Sequence, residues 1–221
     1  MGLFYNNNEA GSGVAKRGKQ KKPFFRFWEM FANKFWTFFK INLIYVLFCL
    51  PIVTFGPATA AMTSLMRNIY LEKPQFVFHD FWQAFKKNFK QSFVIGLMDI
   101  WFIVMAVFSF FFFTANMNDT DKPFWLYYAM VMAVEIIILL MNFYIFPQIV
   151  ALNLKLPQIL KNSFILAFLN IKGNLITLAA FLVYIALLGM FFVPMILLFP
   201  LLPMAWLSFL AMFNSYPAIQ K

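Results

Sequence analysis

Between Ser92 and Phe113, and again between Phe124 and Phe146, the chain runs for about twenty residues with one carboxylate in each run and no cation. Coiled as a helix, such a run matches the roughly 30 Å hydrocarbon core of a bilayer. Lipid offers no water to backbone amides, so these runs must satisfy their own N–H and C=O groups, and helices do so. The fold class is therefore all-α: a polytopic helical membrane protein, about six spans (one short or re-entrant) with amphipathic cytoplasmic loops.

Composition supports this reading. Only 12% of residues are charged against roughly 25% in a soluble domain, while 63% are hydrophobic and 21% aromatic. A chain of 25.9 kDa has too small an interior for 33 Phe, whereas a bilayer surrounds helices that are apolar on every side. The net charge of +10 excludes little by itself. A nucleic-acid binder gathers its cations on one folded polar face, but here they lie between apolar runs, where anionic lipid headgroups and cytoplasmic loops account for them. The expected partners are the lipid bilayer and anionic lipid headgroups, with no nucleic acid. Cys49 is the single cysteine, so no internal disulfide forms.

One stretch, Pro51-Ile-Val-Thr-Phe-Gly-Pro-Ala-Thr-Ala-Ala-Met62, interrupts an apolar run where a membrane helix would have to finish. Pro51 pushes Leu50 away from helical geometry, Gly56 permits a tight reversal, and Thr54 followed by Pro57 suits a cap and first turn. One helix is expected to end near Leu50 and another to start near Pro57.

Taken in order, residues 1–23 read as a disordered basic tail, 24–213 as a single transmembrane domain and 214–221 as a short cytoplasmic tail. Phe24 to Lys40 mixes Phe and Trp with Arg26, Glu29 and Lys34, which suits an interfacial helix leading into a first span, Phe35 to Leu50. The second span, Pro57 to about Leu65, is short and made of small residues that allow close helix contact. Residues 67–90 form a polar-basic loop containing an amphipathic helix. Ser92 to Phe113 and Phe124 to Phe146 follow as the third and fourth spans, joined by the slightly acidic turn 116–122, with Pro147 ending the fourth. A second amphipathic loop, 148–172, leads to spans 173–192 and 195–213, with a break at Val193-Pro194 and kinks at Pro200 and Pro203. Phe81–Phe85 echoes Phe164–Phe168, a faint sign of an internal repeat.

Charge placement orients these spans. Eight cations lie at or before Lys40, five lie in 67–90 and three in 148–172; with Lys221 they leave only Lys122 on the far side if the chain reverses at Pro51. Without that reversal the charge divides evenly. The positive-inside bias selects the reversal and sets both termini in the cytoplasm.

Asp99 and Glu135 are the carboxylates inside spans, and an intramembrane acid is a functional candidate by default. Side by side they would suit a proton relay or cation site. The plainer account is a protonated acid hydrogen-bonded to Asn142, Ser109, Thr114 or a backbone carbonyl. His79, the only histidine, sits in the 67–90 loop beside Asp80, too poor a ligand set for a metal. No catalytic triad, P-loop or GxGxxG is present, so neither a catalytic residue nor a cofactor is assigned. Lys86, Lys87, Asn88 and Lys90 form a basic loop for a partner or for lipid.

Three stretches, Pro51 to Met62, FHDFWQAFKKNFKQ at 78–91 and YIFPQIVALN at 144–153, resemble the YesL-like family of bacterial integral membrane proteins, a domain-of-unknown-function family found largely in Gram-positive bacteria. Pro51, Thr54, Gly56, Pro57, Ala58 and Ala61 fit its Pro-x-x-Thr-x-Gly-Pro-Ala-x-x-Ala pattern, and Phe81, Phe85, Asn88 and Phe89 fit its aromatic-basic loop. The family is often encoded near carbohydrate ABC-transport genes, which implies an accessory role in sugar uptake with membrane transport subunits as partners, and carries over no catalytic residue. The expected function is a non-enzymatic integral membrane accessory or interaction protein associated with carbohydrate ABC uptake; the alternative is a small carrier or channel using Asp99 and Glu135. The expected location is the bacterial cytoplasmic membrane. Accessible tags at the N-terminus and at residue 75 are expected to label from the same face; labelling from opposite faces would overturn the reversal at Pro51.

Overall fold

A computed structural model describes residues 22–116, 124–190 and 203–220. The basic cluster before Lys22, the acidic turn beyond Asn116, the Val193-Pro194 break and Pro200 lie outside them. The described chain is helical: α1 Pro23–Asn33, α2 Phe35–Cys49, a 3-10 turn Ile52–Thr54, α3 Phe55–Tyr70, α4 Val77–Asn116, α5 Phe124–Ala151, α6 Leu156–Leu169, α7 Ile171–Met190 and α8 Pro203–Ile219.

The centre is α3, with α2, α4, α5 and α8 packed around it. Ten of its 16 residues are buried, among them Gly56, Ala58, Ala60, Ala61 and Thr63. These small side chains let its neighbours approach closely. Contact is tightest where Gly56 meets α4: a Cβ on Gly56 would overlap the Ser92 carbonyl oxygen and lie 2.8 Å from the Gly96 Cα. A Cβ on Gly96 would in turn sit 2.6 Å from the Gly56 Cα and N. The two backbones touch, and neither position has room for alanine.

The Pro51 turn therefore works differently from its sequence reading. Leu50 keeps helical dihedrals (φ −53°, ψ −44°), because the pre-proline restriction disfavours that region without forbidding it; the extended residue is Pro51 itself, with ψ 109°. Gly56 has no positive φ, so it serves close approach and not reversal. The Thr54 side chain makes no cap bond to α3. It turns back instead and donates to the Phe48 carbonyl in the last turn of α2, which the helix end leaves without an intrahelical donor, and to the Pro51 carbonyl, which also accepts the Thr54 amide.

At its other end α3 closes with a Schellman pattern: the Glu72 amide bonds the Ile69 carbonyl and the Lys73 amide bonds Asn68. Glu72 occupies the left-handed position (φ 55°) that glycine usually fills. Arg26 of α1 reaches this corner, donating to the Tyr70 carbonyl at 3.4 Å and lying 3.8 Å from the Glu72 carboxylate. So α1 and the loop after α3 share one end of the bundle, and α2 and α3 run antiparallel. Phe27 of α1 stacks on Phe209 of α8, and the Asn42 side chain accepts the Ala205 amide, one of the free donors in α8's first turn.

The expected amphipathic loop and third span are one helix, α4, 40 residues and about 60 Å long. Nor does Pro147 end the fourth span, since α5 continues to Ala151. Burial of Phe146 and Ile149 against Ile159 of α6 compensates for the backbone bond that proline removes. Likewise α8 carries on past Phe213, with Ser215 and Tyr216 buried.

The molecule divides at Gly96. Every buried residue of α4 lies at or before Gly96, and in α5 none of the residues from Trp125 to Phe143 is buried. Beyond them α4 extends 20 more residues, about 30 Å, with Ile103, Val104, Val107, Phe108, Phe110 and Phe111 exposed. By length and composition α4 and α5 each suffice to cross a membrane, and a third crossing is available if α6 and α7, bent by 91°, count as one. Six crossings are not shown: α2 and α3, at 15 and 16 residues, reach about 22 to 24 Å. Substituting Gly56→Ala is expected to cost about 1 to 3 kcal/mol by overpacking and to lower the thermal midpoint in detergent by several degrees. Gly189→Ala, with nothing within 4 Å of its Cβ, is the control and should leave the midpoint at or above the parent value.

Candidate functional site

Side chains able to do chemistry gather in two places. On the α4–α5 seam, Asn142 Nδ2 donates to Asp99 Oδ1 at 2.8 Å, and further out the Phe113 and Tyr128 rings stack at 4.3 Å. Both pairs fit one antiparallel register. It sets Glu135, on the same heptad stripe as Asn142 and Tyr128, opposite Ala106, two turns and about 10 Å along the axis from Asp99. The two carboxylates thus share an interface without sharing a site. The hydroxyls read from the sequence as partners for Glu135 are used within α4: Ser109 donates to Met105 and Ala106, Thr114 to Phe110 and Phe111. Glu135 Oε1 is enclosed and has no hydrogen-bond partner among the described residues.

The second place is where α6 turns into α7. There the helix breaks at Asn170, and neutral polar side chains of four helices meet around it. Tyr144 of α5 donates to Asn174 Oδ1 at 2.6 Å, and Asn174 Nδ2 donates to the Ala167 carbonyl at 2.6 Å. Ala167 lies in the last turn of α6, where the bend deprives carbonyls of their usual donors, so Asn174 supplies what the helix lost. Asn170 donates to the Asn214 carbonyl of α8, and Asn214 returns the connection through Thr177. Gly173 leaves space for the Asn170 amide, which a Cβ there would meet at 2.6 Å. Gln148 donates to Ser163 at 2.9 Å, while its own Oε1 and the Ser215 hydroxyl are enclosed without partners among the described residues.

This network escapes a sequence reading keyed to charged residues, since every member is neutral. The available signal was the set of amide residues, Gln148, Asn170, Asn174 and Asn214, at the ends of apolar runs, where a plain lipid-facing helix has no use for them. The Phe81–Phe85 echo does not extend to packing. Phe81 and Phe85 are buried while Phe164 and Phe168 are exposed, and α4 is unbroken where its counterpart bends.

Of the remaining predicted positions, Pro57, Ala58 and Ala61 are buried in α3. Lys86, Lys87 and Lys90 are exposed with Trp82 and Gln83 on one stripe of α4, while Phe81, Ala84 and Phe85 of the opposite stripe are buried. Lys86 Nζ stands 4.6 Å from the Trp82 ring centroid, a cation–π contact, and Asn88 turns inward to donate to the Ala84 carbonyl. His79 lies 3.2 Å from Asp80 at an exposed site. Among the described residues no three of His, Cys, Asp and Glu come together.

Residues 38–111 match the model of a family described as a protein of unknown function, DUF624. That segment contains the Pro51 turn and the aromatic-basic stretch at 78–91, and ends before the stretch at 144–153. No curated protein and no solved structure matches the chain.

Replacing Asn174 by Leu removes the acceptor of the Tyr144 hydroxyl bond and the donor to the Ala167 carbonyl together, and is expected to cost about 1 to 3 kcal/mol in detergent unfolding. Thr114→Ala, which removes only bonds inside an exposed stretch of α4, should stay within about 0.5 kcal/mol of the parent.

Proposed function

We propose that this chain is a non-enzymatic accessory or interaction subunit in the bacterial cytoplasmic membrane, with both termini in the cytoplasm, serving carbohydrate uptake. The observation that carries the reading is the exposed stripe of Trp82, Gln83, Lys86, Lys87 and Lys90, which is rigidly continuous with the apolar part of α4. A helix built that way presents a fixed basic-aromatic face at the membrane surface, suited to an acidic patch on a partner or to anionic headgroups. The link to carbohydrate comes from the resemblance to the YesL-like family, with which the match at 38–111 is compatible.

Of the six segments read from the sequence, the pair α2 and α3 is proposed as a re-entrant hairpin. Its tip rests on Ser92 and Gly96, where the apolar part of α4 begins. A hairpin that enters and returns keeps the same cations inside as one that crosses twice, so the charge count fits both. The carrier reading, built on Asp99 and Glu135, is weakened by the engagement of Asp99 with Asn142 and by the two turns separating the acids.

A photoreactive side chain at Gln83 in native membranes is expected to capture a transport subunit, and Lys→Glu at 86, 87 and 90 together to cut the yield at least fivefold. Capture of lipid alone, together with proton or cation flux from the purified protein in liposomes, would replace the proposal with the carrier.

A further inference from the structure

We propose that the outer half of the α4–α5 hairpin is a docking face for a membrane-spanning helix of another protein, and that this helix brings a basic side chain to Glu135. The inference rests on the accessory-subunit reading and adds to it a second surface and the chemistry of its occupant. Three observations carry it. First, Glu135 faces the seam opposite Ala106 but is only half-buried, and its enclosed carboxylate oxygen has no partner among the described residues. A carboxylate held in an apolar layer is costly unless a cation or donor meets it.

Second, this chain has no cation to send there. No Lys, Arg or His occurs in 91–121, 123–154 or 173–220, so no helix of a second copy carries a counter-charge at that depth either. The complement must come from a different chain. Third, the surroundings suit a helix. Val131 and Val134, within a turn of Glu135, are exposed, as are Ile103 and Phe110 on either side of Ala106. An apolar strip with a single acid in its middle is what a helix with a single base in its middle would complement, and that pairing also fixes the register between them.

The test places a photoreactive side chain at Val134 in the full-length protein in native membranes. The expected adduct contains a membrane-spanning peptide with a Lys, Arg or His. Its yield should fall at least tenfold in Glu135→Gln and persist in Glu135→Asp, while a probe at the exposed Leu182 of α7 gives a yield indifferent to either change. A charge swap, Glu135→Lys here with the captured base changed to Glu, should restore the adduct, which a folding defect would not permit. Capture of lipid only, of a second copy only, of a helix without a base, or an undiminished yield in Glu135→Gln would each overturn the inference. If the Gln83 probe still finds a transport subunit while Val134 finds none, the docking face is wrong and the accessory reading stands; if neither finds a protein, both fall.

Discussion

Two backbones in contact, Gly56 of α3 against Ser92 and Gly96 of α4, set the geometry of everything around them. Helix axes normally stand 8 to 10 Å apart because side chains hold them off. Where neither helix carries a side chain at the contact, carbonyl and Cα surfaces meet and van der Waals attraction is gained along the seam, which lipid, being as apolar as the side chains, does not otherwise drive. With α3 held there, its small residues admit α2, α5 and α8 as well, and the short helix becomes the hub. The same contact fixes how far the α2–α3 hairpin extends along α4, and so leaves the outer 30 Å of the α4–α5 pair uncovered by it.

The polar groups serve this arrangement at its interruptions. Three breaks in helical bonding have a side chain assigned to them: Thr54 at the end of α2, Asn42 at the start of α8, Asn174 at the bend after α6. These are necessities in a medium that supplies no water, and they explain why amide and hydroxyl residues sit deep in an otherwise apolar chain. Glu135 is different, since it satisfies no helix end and its enclosed oxygen meets no donor among the described residues.

Helix existence and the reversal at Pro51 were legible in the sequence because both rest on strong local rules: length of an apolar run, the missing amide of proline and the sidedness of lysines. The roles inside the turn were not. Gly56 reads as a reversal glycine until Gly96, 40 positions away, is seen against it, and no local pattern announces that meeting. Pro147 reads as a terminus because a proline ends an exposed helix, whereas here buried Phe146 and Ile149 hold the helix through it. Asp99 was correctly given Asn142 among its candidate partners, yet its separation from Glu135 required the register of the hairpin. The bend network stayed hidden because neutral amides carry no charge signal.

The most direct measurement is immersion depth at the hairpin tip. A spin label at Ile52, which is 70% exposed at the turn, can be compared by collision with oxygen and with a water-soluble nickel chelate against labels at Val94 and Phe112 of α4. The account predicts a depth for Ile52 close to that of Val94, near the face that carries the lysines. A depth matching Phe112, on the far side of the apolar layer, would show that α2 and α3 traverse the bilayer and would contradict it.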